Sequence, residues 1–434
     1  MLKPKSEHKP RDSEISIDAT QLRPGVHVRL PLSWMEHEFL FNSFVIADEE
    51  QAKRIAAMNL PSLFSDVKLS KVPPLPKQDV APTELQASEA ERSHFAMLKA
   101  ELMAEKLERA KVMAKMRKRM LKAQNNYAES AHSVVTAFKS LLSTPKESIR
   151  QVSDISERSA SELLNNPDCA MALISEKPHN DGHSAHALSV MTLALMLAKR
   201  AELPEVALRT IGVGALLHDI GKFSFHASML NNTKRNKFEE EVYRTHCRIG
   251  YENALKCGCL SPAMMDVILH HHERINGTGF PDQLVGDDIS FAARVVAIAD
   301  RFDNLTNPVD FRLALSPSEA LSMMWHKEKE IFDNTLLQLF VRAMGVYPPG
   351  SLVQLSDERI GVVIASATIK APLSPQVLVY DPGVPRSQAI IIDLLVDTSS
   401  KIVRPLRLSE RSEHEINYLL PNRRISWFYI QDPV

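Results

Sequence analysis

Residues 214–222 read GALLHDIGK, an apolar run that ends in His218 and Asp219 and is followed at once by a glycine and a lysine. An apolar run of this kind in a helical region belongs inside a bundle, so its last turn delivers an imidazole and a carboxylate to the interior. Four other stretches carry the same residue types. His186 lies in HSAHALSV (183–190), His246 in YRTHCRIGYENAL (243–255), His271 and His272 in HHHERINGTGFPD (270–282), and Asp300 closes RVVAIAD (294–300). The intervals are 32 residues from His186 to His218, 27 from Asp219 to His246, 25 from His246 to His271 and 28 from His272 to Asp300. Each is about one helix and its connection, so successive helices can bring ligands to one shared centre, as helical bundles with internal metal sites do.

Adjacent residues on a helix point about 100° apart. The His218-Asp219 pair can therefore flank a site, with the imidazole on one metal and the two carboxylate oxygens of Asp219 bridging to a second. Two metals held this way generate a bound hydroxide at neutral pH and stabilise both oxygens of a phosphoryl displacement. Imidazole with carboxylate suits iron, manganese, nickel, cobalt or zinc alike, and two divalent ions of this set are the expected cofactors. Any one of these histidines, taken alone, is more often a satisfied interior or surface residue than a ligand. The coincidence of five such segments outweighs that reading.

Away from this centre, 434 residues are enough for two to four domains. Lys and Arg total 52 against 53 Asp and Glu, a net charge of -1, which leaves no global field to hold the chain on nucleic acid or an anionic bilayer. With only 14 glycines, helix should dominate. Four cysteines are too few for a disulfide framework, and no apolar run approaches the ~20 residues that cross a bilayer. The expectation is a cytoplasmic, mainly α protein without a membrane span and without nucleic acid as partner.

Four regions follow along the chain. Residues 1–72 read as a small α+β module, with Ile15, Ile17, Val26, Val28 and Leu30 at strand period and EEQAKRIAAMNLP as a helix stopped by Pro61. Residues 73–144 are a Pro-rich linker and one long amphipathic connector helix whose stretch 109–122 holds seven Lys and Arg and no acid, most simply a solvated face. Residues 145–346 form the helical bundle, with stops at Pro204, Pro262 and Pro317. Residues 347–434 are a β-rich appendage, with strands expected at 352–355, 360–365, 376–380 and 389–395 and an aromatic tail at Trp427, Phe428 and Tyr429.

LLHDIGKF, HHERINGTGFP and ARVVAIADRFDNLT together resemble the HD-GYP phosphodiesterases, a branch of the HD metal phosphohydrolases that hydrolyse cyclic di-GMP. The resemblance covers about residues 145–345 and implies an HD-type bundle. QLRPGVHVRLPLSWMEHEFLFNSFVI (21–46) is also similar to a small module of unknown role that often precedes this domain. Carried over residue by residue, the resemblance implies that His186, His218, Asp219 and Asp300 hold one metal, and Asp219, His246, His271 and His272 the other. It places Lys222 against the scissile phosphate, where a fixed cation meets developing negative charge. A solvated helix-end lysine is the competing reading. His270 is treated as a non-ligand.

The chain departs from the family in four places, the mildest being Ile275-Asn276 where Trp-Asp usually follows HHER. The signature loop is Gly277, Gly279, Phe280 and Pro281, so the phenol hydroxyl is missing, a loss of about 1 kcal/mol if it made one hydrogen bond. The two glycines are expected to serve positive φ. Gly182 stands one turn before His186, where some members carry a Glu for a third metal, leaving only Asp181 and His183 nearby. Val309 replaces an expected arginine, which leaves Arg312 as the substrate-binding cation and weakens the case for tight nucleotide binding. Cys257-Gly258-Cys259 is too small a motif to carry chemistry.

The leading expectation is hydrolysis of cyclic di-GMP to pGpG, with GMP as the alternative end product, by a dimetal-bridging hydroxide, with Asp219 and Lys222 as catalytic residues. Two rivals stand beside it. One is an HD phosphohydrolase for another nucleotide or phosphoester. The other is a regulatory module that docks a diguanylate-cyclase-type or other signalling protein through the Gly279-Phe280-Pro281 loop.

Overall fold

The computed structural model describes residues 9–10, 13–32, 36–39, 41–77, 89–141, 143–165, 170–174, 182–366, 371–382, 384–397, 400–421 and 426–430. Two compact units, 1–114 and 115–434, meet inside one helix.

In the first unit, β1 (Glu14–Ile17), β2 (His27–Arg29), β3 (Ser43–Val45) and β4 (Leu63–Asp66) form an antiparallel sheet in the order β1-β4-β2-β3. Helix α1 (Glu49–Ala57) starts where the Asp48 side chain accepts from the Gln51 N–H, and it buries Ala52 and Ile55 against Val26, Val28, Leu30 and Ile46. Strand β4 was not foreseen. It is a run of only four residues beyond Pro61, too short to declare a period, yet all four are buried. Lys106 is buried as well, its ammonium donating to the His37 and Phe39 carbonyls at 2.8 and 2.5 Å.

Helix α2 (Glu89–Ser140) is continuous for 52 residues and crosses the boundary. Its basic run is not uniformly solvated: Arg117 donates to the Gln388 and Ala389 carbonyls at 3.0 and 2.6 Å. The second unit continues with α3 (Pro145–Asn165), strand β5 (Ala170–Ile174), α4 (Gly182–Arg200), α5 (Glu205–Leu217), α6 (Ala227–Leu230), α7 (Lys237–Arg244), α8 (His246–Cys257), α9 (Pro262–His270), α10 (Phe291–Thr306), α11 (Pro317–Lys327) and α12 (Asn334–Met344). The three prolines read as stops instead start helices: Pro204 caps α5, and Pro262 and Pro317 sit in the first turns of α9 and α11. Proline fits there because the first turn leaves its N–H groups unpaired in any case. Helix α4 is buried almost all round from Ser184 to Ala198, as a central helix must be, and it packs on α5, α10 and α12.

The remaining strands are β6 (Leu352–Leu355), β7 (Ile360–Ala365), β8 (Gln376–Val379), β9 (Ile391–Asp393), β10 (Ile402–Leu406) and, after helix α13 (Glu413–Leu419), β11 (Ser426–Ile430). They do not stand apart as a separate sheet. β5, from a stretch read as helical, joins them between β7 and β11 in the path β10-β6-β7-β5-β11. Its five residues, AMALI, are one apolar run that a helix period does not distinguish from a strand. Trp427 on β11 is fully buried, tilted on Phe302 of α10 with ring centroids 5.2 Å apart, and its indole N–H donates to the Pro349 carbonyl at 3.2 Å. One hydrophobic core therefore runs from the bundle into the sheet.

Candidate metal centre

Five segments converge beside the bundle core. α4 brings His186. The end of α5 brings His218 and Asp219, the first residue of α8 brings His246, the end of α9 brings His271 and His272, and the middle of α10 brings Asp300. His218, His246, His271 and Asp300 are buried, and Asp219 keeps a side-chain exposure of 12%.

His186 Nε2 lies 3.1 Å from Asp300 Oδ1, 3.6 Å from Asp219 Oδ2 and 3.2 Å from His218 Nε2. His218 Nε2 is 3.3 Å from Asp219 Oδ2, while His246 and His271 present Nε2 to the other oxygen, Oδ1, at 3.5 and 3.6 Å. Asp219 thus faces a histidine pair with each carboxylate oxygen. His272 Nδ1 is 3.8 Å from Asp300 Oδ2.

The far side of each ring explains why Nε2 points inward. His218 Nδ1–H donates to the Ala215 carbonyl at 2.7 Å, His246 to Tyr243 at 2.7 Å and His271 to Ile268 at 3.0 Å, each a carbonyl three residues back in its own chain. His186 Nδ1–H donates instead to Asp303 Oδ2 at 2.6 Å. A proton held on Nδ1 leaves Nε2 as a lone pair, the form that ligates a metal.

Burial and charge sort these groups. Burial lowers His246 to about 3 despite Asp219. It also lowers His271, where nearby His218 adds to the effect, and His272, where His271 and His246 do. Burial alone would lower His218, but the Asp219 and Asp300 carboxylates override it and raise the ring to about 10. Burial likewise opposes the ionised forms of Asp219 and Asp300, yet the neighbouring His218, Lys222 and His186 hold both well below the carboxylate range.

Three buried polar atoms at the centre, Asp219 Oδ1, His271 Nε2 and His272 Nε2, have no hydrogen-bond partner. Orphaned acceptors of this kind are costly unless something absent satisfies them, and a cation is what imidazole lone pairs and a carboxylate would take. One ligand atom each from His186, His218 and Asp300 lie within 4.8 Å of one another, and the same holds for His218, Asp219 and His271 and for His246, Cys247, His271 and His272. The residues fit a metal cluster with two overlapping halves.

Lys222 is buried, its ammonium 2.5 Å from Asp219 Oδ2 and 5.3 Å from the Tyr243 ring centre. The 3-10 turn that carries it crosses α8 backbone on backbone: a Cβ on Gly221 would come within 1.9 Å of the His246 carbonyl oxygen. That contact needs glycine. In the signature loop, Gly277 does take a positive φ of 76°, but Gly279 does not. It is required because a Cβ there would lie 2.5 Å from the Arg274 nitrogen. Phe280 turns its ring to His272 at 4.7 Å. His270 bonds to Asp266 and Asp282 instead of to the cluster. Val309 is exposed, and Arg312 pairs with its own near neighbour Asp310 at 2.7 Å. Among the contacts described, none joins Arg312 to the cluster. Asp181, weighed as a third-metal residue, lies outside the described residues, and His183 packs on Phe223 with centroids 5.8 Å apart.

Three residues escaped the sequence reading. Glu273 is buried and accepts from the Asp282, Gln283 and Leu284 N–H groups at 2.7, 3.0 and 3.1 Å, so it ties down the signature loop. Asp303 is buried and orients His186. Cys247 places its sulfur 3.5 Å from His246 Nε2, with the thiol pushed well up by burial.

A helical bundle that gathers histidines and two aspartates around unsatisfied lone pairs, with a buried lysine on the Asp219 carboxylate, defines an HD-type metal-dependent phosphohydrolase. Residues 168–336 match the HD domain, and residues 14–152 match a domain of unknown function (DUF3391). Over 386 residues, 88% of either chain, the sequence is 30% identical to a cyclic di-GMP phosphodiesterase of Pseudomonas aeruginosa. Over 173 residues, 38% of this chain and 44% of the relative, it is 33% identical to a cyclic di-GMP phosphodiesterase response regulator of Xanthomonas campestris pv. campestris. Among solved structures, an HDG"Y"P protein from Bdellovibrio bacteriovorus aligns over 75% of this chain and 98% of its own at 16% identity, with a TM-score of 0.43. The chain belongs to the HD-GYP phosphodiesterase family, and it is an enzyme of phosphodiester hydrolysis. No helix among the described residues is long and apolar enough to cross a membrane.

Proposed function

We propose that this chain hydrolyses cyclic di-GMP to pGpG, with GMP as a further product, in bacterial second-messenger signalling. The observation that carries the reading is the pair of histidines facing each oxygen of Asp219, an arrangement that prepares one carboxylate to bridge two cations. His186, His218, Asp219 and Asp300 would hold one divalent ion, and Asp219, His246, His271 and His272 the other. Iron, manganese, nickel, cobalt and zinc are all compatible with these donors. Bound there, such ions lower the pKa of water and offset charge on the phosphate oxygens.

The chain's own groups do the rest. Lys222 adds a fixed ammonium beside Asp219, where the equatorial phosphate oxygens gain charge. The Nδ1 hydrogen bonds hold the rings so that no reorganisation is needed as the reaction proceeds. The ring of Phe280 packs against His272 and fixes its position on that side of the centre. A neighbouring reading, a related phosphoester as substrate, is supported by exposed Val309, which offers no donor where a guanidinium was expected.

The test is turnover of cyclic di-GMP against cyclic mononucleotides and aryl phosphodiesters by anaerobically purified protein of measured metal content. Cyclic di-GMP should be preferred and chelation should abolish turnover. Asp219→Ala should lose metal and activity together, whereas Lys222→Ala should keep its metal and lose roughly 10²–10³ in kcat. Full metal and full rate in the Asp219 variant would discard the assigned centre.

A further inference from the structure

Two arginines stand one aromatic ring away from the centre. The guanidinium of Arg235 lies 3.8 Å from the centre of the Tyr243 ring, whose neighbours include the Lys222 ammonium at 5.3 Å and the His246 ring at 5.1 Å. The guanidinium of Arg244 lies 5.0 Å from the centre of the Phe280 ring, which rests on His272 at 4.7 Å. Rings of this kind hold a guanidinium by its planar face and leave its edge of N–H donors open to a planar or tetrahedral anion.

Both guanidiniums turn to the same carboxylate. Arg235 Nε reaches Glu240 Oε2 and Arg244 Nε reaches Glu240 Oε1, each at 3.4 Å. Charge-assisted bonds of good geometry are about 2.7–2.9 Å long, so Glu240 is a loose occupant. Arg235 keeps its place by a second bond, to the Asn232 carbonyl at 2.8 Å. The Arg235 side chain is 17% exposed, and those of Arg244 and Glu240 are 49% and 41% exposed, so the carboxylate can swing into solvent while the arginines stay on their rings. Next along α8, Arg248 is already committed to Asp282 at 2.5 Å.

We propose that Arg235 and Arg244 form an anion clamp for the second phosphate of a cyclic dinucleotide, with Glu240 as the internal carboxylate that the phosphate displaces. The proposal rests on the substrate class given above. A cyclic dinucleotide carries two phosphodiesters, of which the metal centre and Lys222 can engage one. The other still carries a full negative charge and needs a partner. Val309 cannot supply one and Arg312 is turned to Asp310, whereas the fork from α7 and the turn before it lies beside the rings that wall the centre. Two arginines and one glutamate give the resting clamp a net charge of +1, which draws the phosphodiester in before Glu240 leaves.

Equilibrium binding of non-hydrolysable phosphorothioate analogues of cyclic di-GMP and cyclic di-AMP to the metal-loaded full chain tests this. It is read beside hydrolysis of bis(p-nitrophenyl) phosphate, which has one phosphate and does not reach the clamp. Arg235→Gln and Arg244→Gln should each weaken both analogues roughly tenfold, the value of one charge-assisted bond on a partly exposed group. Metal content and the KM for the aryl ester should not move. Glu240→Gln should tighten both analogues severalfold and steepen their salt dependence. Unchanged dissociation constants in both arginine variants, a loss confined to one base, or an equal rise in KM for the aryl ester would overturn the clamp. If the wild-type chain binds the analogues through these arginines but leaves cyclic di-GMP intact, the assigned substrate fails while the clamp stands.

Discussion

The 2.6 Å bond between Asp303 Oδ2 and His186 Nδ1 does for His186 what backbone carbonyls do for His218, His246 and His271. It differs in carrying charge, so it both fixes the tautomer and raises the basicity of Nε2. Asp303→Asn keeps the shape and removes that charge. It should weaken metal binding about 10- to 100-fold, measured by titration against a competing chelator, and an unchanged affinity would show the carboxylate to be mere packing. The ligand residues were legible because histidine and aspartate in apolar surroundings are conspicuous. Asp303 follows Asp300 by one turn and could have been found by asking which face of α10 points inward. Glu273 could not: its partners are three backbone N–H groups nine to eleven residues on, and nothing in its own neighbourhood announces a loop that folds back on it.

Among elements, β11 and the buried corner of the first unit lend themselves to measurement. Trp427 fills the space against Phe302, so Trp427→Ala should cost about 3–5 kcal/mol in chemical denaturation of the second unit, and a loss under 1 kcal/mol would mean that the sheet is not part of the bundle core. In the first unit, burial and nearby Lys106 lower His37 to about 4, and its Nε2 meets Asn42 Oδ1 at 3.0 Å. Between pH 6.5 and about 4 the unfolded chain binds this proton and the folded one does not. The contribution is therefore whole above pH 6.5 and falls as the pH drops to about 4, by on the order of 3 kcal/mol at the limit. His37→Gln should flatten that slope relative to wild type, as followed by denaturation at a series of pH values. Helix periods made the long helices readable from sequence. The short strands β4 and β5 were not, because four or five apolar residues satisfy a buried strand and a buried helical turn equally.

At the scale of the whole molecule, the sequence separates a catalytic bundle from a trailing β region, and the structure joins them. β5 precedes the first histidine of the centre yet pairs with β7 and with β11, which lies over 250 residues further along. Such pairings are long-range and leave no trace in local pattern, so composition and period could find the strands but not the sheet. Metal stoichiometry belongs at this scale too. With Gly182 in place of a carboxylate and His183 packed on Phe223, the chain should saturate at two ions. Elemental analysis after full reconstitution measures this, and a third equivalent would require a further ligand near Asp181 or His183.

Trp427 follows Asp300 by 127 residues in the chain. A ribosome adding about 5–20 residues each second needs roughly 6–25 s to travel that distance. For that interval the nascent chain already carries every histidine and aspartate of the centre, while the socket beside Phe302 stands empty. The helix that presents Asp300 and Asp303 thus receives its backing last, and the newborn protein passes through a period in which its metal-seeking side chains exist before the wall that aligns them.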